Sequence, residues 1–203
     1  VFSGPIEVWD SNWKLIFENA MESYHLFKVH SQTLEFITPT RGAYYVAGDS
    51  EASLGGGMSN TDDGSPPVAR GVAEDVYHQY LLVSVPPSSV AILGYDSFGW
   101  LSVHPIDAST SVVRSGAVAS DLSSYEDPQA REFTEAFFAE DKDMCERVQR
   151  GMYSNRAKGG QLVDMERIVV DFHRYLASRL YGTPRLPFYT TEHAALFETT
   201  GAD

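Results

Sequence analysis

Residues 77–119 read YHQYLLVSVPPSSVAILGYDSFGWLSVHPIDASTSVVRSGAVA. Four β-rich runs, 77–85, 90–95, 100–104 and 111–119, are separated by Pro86-Pro87, by a turn over 96–99 and by Pro105. Connections this short can only join antiparallel neighbours, so the spacing predicts a meander. Two helical patterns follow. One runs over 128–152 with Pro128 at its start, where a missing N–H costs nothing. The other runs over 161–181 and carries Leu162, Met165, Val169, Phe172, Leu176 and Leu180 on one stripe, with Gly182 and Pro184 to stop it. Upstream, residues 1–9 alternate loosely, Asp10-Ser11 reads as an N-cap pair for a helix over 11–24, and 43–47 reads as a strand. Residues 48–75 hold Gly55-Gly56-Gly57, Asp62-Asp63-Gly64 and Pro66-Pro67, the composition of a long flexible loop. Residues 188–203 have no strong periodicity and read as a tail. The expected class is α+β: a twisted antiparallel sheet with an amphipathic helix against one face and an apolar cavity between them.

At 203 residues the chain suits one domain with a full core. No apolar run is long enough to cross a bilayer and no export segment opens the chain, so a cytoplasmic location is expected. The net charge of −13 argues against nucleic acid as a partner, since a phosphate backbone demands a basic face. The acidity is uneven: 121–146 holds nine acidic residues against Arg131 and Lys142, and 147–185 holds eight basic against three acidic. That pattern reads as two solvated helix faces, or as a basic face that meets a protein. The single cysteine, Cys145, excludes an internal disulfide, a four-cysteine site and an iron–sulfur cluster held by this chain alone.

The chemistry-bearing segment is 12–30, NWKLIFENAMESYHLFKVH. Glu22 stands three residues before His25, and His30 stands five after it. Two imidazoles beside an acid suit iron or zinc. Five residues separate two side chains by roughly 140° on an ideal helix, so His25 and His30 converge only if the helix ends or bulges between them. By itself the spacing is weak evidence, and a solvent-facing or hydrogen-bonded structural role accounts for the pair better. The helix over 128–152 supplies a third donor. On its wheel Ala130, Phe133, Phe137, Met144, Val148 and Met152 form an apolar stripe, Asp141 falls inside it, Glu140 on its border and Asp143 well outside. A carboxylate among such side chains must be paired, protonated or bound to a metal. A salt bridge to an arginine such as Arg174 is the structural alternative. Two histidines with one carboxylate make a facial set that leaves coordination positions open and suits non-heme Fe(II) working on O2.

The run NWK, then EN, then E-x-x-H-x-x-x-x-H, then Glu140-Asp141 ahead of Val148-Gln149-Arg150-Gly151, then Phe172-His173-Arg174-Tyr175-Leu176, resembles the catalytic domain of Rieske non-heme iron oxygenases, the ring-hydroxylating and demethylating α subunits. The resemblance covers about 12–181. It implies the helix-grip fold, an antiparallel sheet wrapped around a long C-terminal helix, and it implies mononuclear Fe(II) at His25, His30 and Asp141 with O2 as co-substrate. It implies that Glu22 is the bridge for electrons from the Rieske cluster of a neighbouring subunit, and that Asn19 stands near the iron. Glutamate in place of the aspartate usual in ring-hydroxylating dioxygenases resembles the branch that acts on quaternary amines. The family's C-x-H and C-x-x-H motifs for a [2Fe–2S] cluster are not in the sequence. The chain is therefore expected to be the catalytic domain of a longer α subunit, or the partner of a separately supplied cluster domain. It would depend on an NAD(P)H-dependent reductase or ferredoxin, and a homotrimer is expected of the full-length protein.

The expected activity is hydroxylation of an aromatic ring, or oxidative demethylation or cleavage of a quaternary amine. A metal-free helix-grip module that binds an apolar small molecule is the alternative from another class, and a zinc hydrolase is a third. His78, His104 and His193 are expected to be structural or exposed, His173 to be half-buried in packing, and Cys145 to be a buried, inert thiol.

Overall fold

The computed structural model describes residues 1–46, 53–58, 79–94, 97–119 and 127–183. Among these residues the sheet has seven antiparallel strands: β1 (Phe2–Trp9), β2 (Tyr44–Val46), β3 (Ser53–Met58), β4 (Gln79–Val85), β5 (Ser89–Leu93), β6 (Ser97–Pro105) and β7 (Ser111–Ala119). The order is β1-β7-β6-β5-β4-β3-β2, so β2 to β7 form one continuous meander and β1 closes onto β7. The predicted meander is present, with Leu82 paired to Ile92, Val90 to Leu101 and Val103 to Val113.

The sequence expectation fails at 53–58. These residues were expected to lie in a loop, and they form β3, with Gly55, Gly56 and Gly57 paired to Leu82, Leu81 and Tyr80 of β4. A ladder needs only backbone N–H and C=O groups, and glycines carry no side chains to write a two-residue period. The remainder of the expected flexible loop, the 188–203 tail, His78 and His193 lie outside the described residues.

Helices cover one face of the sheet. α1 (Trp13–Ala20) contributes Ile16 and Phe17 to two adjoining cores. One core joins Phe17 and Met21 to Leu82, Val90, Ile168, Val169 and Phe172. The other joins Ile16 to Trp9, Leu101, Val103, Val113 and Cys145. α4 (Pro128–Met152) has the predicted bounds. Its buried residues are Cys145 and Gln149, with Phe138 partly buried beside them, rather than Met144 and Val148, one residue earlier, because α1 and the chain entering it pack on that side. Val148 and Met152 are exposed. α5 is shorter than expected, Arg167–Tyr181, preceded by a 3-10 turn at Asp164–Glu166. Ile168, Val169 and Phe172 hold it to the core, while Leu162 and Leu180 of the expected stripe are exposed.

Three polar contacts tie the entry of α1 to α4. Asp10 N donates to Glu146 Oε1 at 3.1 Å, Ser11 Oγ to the Cys145 carbonyl at 3.3 Å, and Asn12 N to Gln149 Oε1 at 2.9 Å. The Ser11 hydroxyl is thereby engaged elsewhere, and Asn12 is the N-cap, its Oδ1 accepting from Lys14 N at 3.0 Å. No helix among the described residues is long and apolar enough to cross a membrane.

Candidate metal centre

α1 does not extend to residue 24 as expected: it ends at Ala20, because the Glu22 carboxylate takes the backbone N–H groups that would continue it. Glu22 Oε2 accepts from Tyr24 N and from His25 N, the latter at 3.3 Å. The chain turns and forms a single helical turn, α2 (Leu26–Val29), with His25 as its N-cap residue and His30 as its C-cap residue. The turn between them is unbroken, Val29 N donating to the His25 carbonyl and His30 N to the Leu26 carbonyl at 2.9 Å each, so the rings meet without the helix end or bulge between them that the spacing was expected to require. The ring centroids are 5.1 Å apart. A second short helix, α3 (Leu34–Ile37), follows.

His25 and His30 both turn Nε2 toward Asp141 of α4. Asp141 Oδ1 lies 2.9 Å from His30 Nε2 and 3.6 Å from His25 Nε2. One donor atom from each of the three residues lies within 4.8 Å of the other two. Two bonds of about 2.1 Å at a right angle place their donors about 3 Å apart, so these positions suit adjacent sites around one ion.

Each imidazole has its other nitrogen on a separate acid. His25 Nδ1 lies 2.6 Å from Glu22 Oε1, and His30 Nδ1 lies 2.8 Å from Glu140 Oε2. A carboxylate can only accept there, so Nδ1 keeps its hydrogen, and Nε2, which donates to Asp141 when no ion is bound, would offer its lone pair to a metal on losing its proton. Asn19 Nδ2 donates to Asp141 Oδ1 at 2.7 Å. The predicted residues His25, His30 and Asp141 are therefore together, Asn19 touches the acid, and Glu22 reaches His25 but not the third donor. Glu140 is the residue sequence reasoning left out; its position next to Asp141, on the border of the stripe, was the signal.

The electrostatics favour a cation. His30 is wholly buried and Asp141 nearly so in its side chain. Burial alone would lower the His25 pKa, but hydrogen bonds to Asp141 and Glu22 outweigh it and raise it to about 9. Burial likewise opposes the upward shift of His30, which Asp141 and Glu140 cause. Asp141 is lowered to about 2, the hydrogen bonds from the two imidazoles overcoming a burial that works the other way. Without an ion, protons do its work of neutralising the acids.

The other sequence expectations divide. Cys145 is buried and its thiol is pushed well up by that burial, as an inert thiol should be. His104 is exposed, 3.1 Å from Ser102 Oγ. His173 is not half-buried: its side chain is 59% exposed, with Nε2 2.8 Å from Glu18 Oε1, since the core takes Phe172 on the neighbouring helix face. A water-sized recess beside the site is lined by Met21, Glu22, Tyr44, Tyr45, Leu82 and Ile168.

Residues 6–182 match the family model described as ring hydroxylating alpha subunit (catalytic domain). None of the curated proteins matches the chain in sequence. Among solved structures, a quaternary ammonium Rieske monooxygenase, described with carnitine oxidation by gut microbiota and inter-subunit electron transfer, is 18% identical with a TM-score of 0.66, over 88% of this chain and 50% of its own. Dicamba monooxygenase bound to dicamba is 16% identical, with a TM-score of 0.61 over 87% and 58%. The oxygenase–ferredoxin complex of carbazole 1,9a-dioxygenase is 14% identical, with a TM-score of 0.55 over 95% and 58%. The chain spans about half the length of the first of these.

Proposed function

The chain belongs to the ring-hydroxylating α-subunit catalytic-domain family and is homologous to the Rieske non-heme iron oxygenases, and on that premise we propose that His25, His30 and Asp141 hold a mononuclear Fe(II) for oxygenase chemistry. The observation that carries this reading is the convergence of two Nε2 atoms on Asp141 Oδ1 while both Nδ1 atoms are held by Glu22 and Glu140. Such a set binds an ion on one side and leaves its other positions open. Bound there, Fe(II) would supply the redox chemistry that couples O2 to a substrate.

The chain's own residues do the rest. His25 and His30 present lone pairs fixed in orientation by their acids, and Asn19 holds the Asp141 carboxylate in place. Glu22 links to His25 Nδ1 with a side chain only 7% exposed, and in this reading it carries electrons in from the [2Fe–2S] cluster of another domain or subunit, fed by a reductase or ferredoxin. We place the substrate between the sheet and α5 in a helix-grip arrangement, near Met21, Tyr45 and Leu82. An aromatic ring or a quaternary amine is the proposed substrate, hydroxylated in one case and demethylated or cleaved in the other. A homotrimer would bring one subunit's cluster to the next subunit's Glu22.

Anaerobic titration with Fe(II), read by metal analysis and by EPR of the nitric oxide adduct, tests the site. One iron per chain is expected, with loss of it in His25→Ala plus Asp141→Ala. Stoichiometric iron that survives both substitutions would sink the assignment.

A further inference from the structure

Glu140 and Asp141 are neighbours on α4, yet they address opposite nitrogens of one ring. Asp141 Oδ1 lies 2.9 Å from His30 Nε2, and Glu140 Oε2 lies 2.8 Å from His30 Nδ1. Successive helix positions diverge by about 100°, so a buried imidazole wedged between them is gripped along both edges. His30 has no exposed surface in its side chain. A half-turn of the ring would put Cδ2 beside Glu140 and Cε1 beside Asp141, so both contacts would be lost at once.

Glu140 is itself braced. Thr33 Oγ1 donates to the same Oε2 at 2.6 Å. Thr33 is brought there by a turn in which its own N–H donates to the His30 carbonyl at 3.0 Å, with Glu35 N on the same carbonyl at 3.1 Å. The brace therefore starts and ends on His30: its backbone positions Thr33, Thr33 holds Glu140, and Glu140 holds the ring. His25 has no equivalent across the fold, since its acid, Glu22, is three residues away in the same turn.

We propose that Glu140 is a positioning residue for the metal centre, a Thr33-braced carboxylate that fixes the tautomer and orientation of His30 and strengthens its Nε2 as a donor. This rests on the reading of His25, His30 and Asp141 as the iron site. Acids placed behind a ligating imidazole commonly change metal affinity by about 10- to 100-fold when removed. The coupling also ties the rotation of α4 to the site, because one helix step sets both contacts to His30.

The test compares the full chain with Glu140→Gln, Glu140→Ala and Thr33→Val by anaerobic Fe(II) titration against a competing chelator, and by EPR of the nitric oxide adduct at saturating Fe(II). Glu140→Ala is expected to weaken iron by about 10- to 100-fold and to alter the adduct spectrum even when the site is full. Glu140→Gln, whose amide oxygen can still accept from Nδ1, should recover most of both, and Thr33→Val should fall between. A merely structural contact would lower thermal stability and leave the saturated spectrum unchanged. Unchanged affinity and spectrum in Thr33→Val, together with an unchanged or unfolded Glu140→Ala, overturns the role of Glu140 alone. Absence of stoichiometric iron in the unsubstituted chain overturns it together with the iron site.

Discussion

Asp141 Oδ1 is the atom on which the site turns. It lies 2.7 Å from Asn19 Nδ2, 2.9 Å from His30 Nε2 and 3.6 Å from His25 Nε2, and its side chain is only 15% exposed. An ion entering between the imidazoles would take over their contacts to Asp141 and leave the one to Asn19, so Asn19 decides how the carboxylate meets the metal. Asn19→Ala should keep the fold and weaken Fe(II) by roughly 10-fold, the lower end expected for loss of a group that orients a ligand. Competition with a chelator measures it, and an unaltered affinity would reduce Asn19 to a helix-surface contact. Glu22→Gln asks a different question. The amide can still accept from His25 Nδ1, so iron should remain, while turnover in the complete enzyme, supplied with its cluster domain and reductant, should be lost if the charge on Glu22 is needed for electron entry. Iron lost with Glu22→Gln would instead make Glu22 a structural support of His25.

Elements are brought to the site by contacts that lie away from it. α1 leads into the histidine segment and α4 carries Asp141, and what fixes one against the other is the polar seam from Asp10 to Asn12 along Glu146, Cys145 and Gln149. Gln149→Leu conserves volume but leaves the Asn12 N–H without its acceptor in a part-buried place. A cost of about 1–3 kcal/mol is expected, read by urea unfolding, with weaker iron binding as α1 slips against α4. On the sheet, a Cβ added to Gly116 would come within 2.6 Å of the Trp100 ring; Gly116→Ala should cost at least about 1 kcal/mol unless the indole moves aside. How far such elements were legible depended on whether a side-chain pattern recorded them. The proline-punctuated meander and the bounds of α4 were legible. β3 was not, because three glycines write no period. The buried line of α4 was off by one residue, because large apolar side chains on its wheel outvoted Cys145 and Gln149, whose burial comes from hydrogen bonds and from the packing of α1. The end of α1 and the contact between His30 and Glu140, 110 positions apart, arise from side-chain to backbone capping and tertiary contact, which spacing does not record.

At the scale of the whole molecule, the two histidines and Asp141 make folding stability depend on pH in a way that reveals the site. The His25 pKa is raised from 6.5 to about 9 in the folded chain. A raised histidine stabilises the fold fully below about pH 6.5, and that contribution is lost as pH rises toward 9. The Asp141 pKa is lowered from 3.8 to about 2; its contribution is full above about pH 4 and is lost as pH falls toward 2. The metal-free protein should thus be most stable between about pH 4 and 6.5, and should lose on the order of 2 kcal/mol between pH 6 and 9. A divalent ion reverses the trend. It binds only the folded state, which stabilises that state by mass action, and it needs neutral imidazoles, so its hold tightens as the protons leave. Thermal unfolding at pH 6 and pH 8.5, with and without Co(II) as a stand-in that resists air oxidation, reads both effects. The expected result is a lower Tm at pH 8.5 without metal and a larger rise on adding Co(II) there than at pH 6, both abolished in His25→Gln plus His30→Gln. A Co(II) effect equal at the two pH values, or one that persists without the histidines, would show that the ion binds elsewhere and that the proton clamp does not occupy the metal's place.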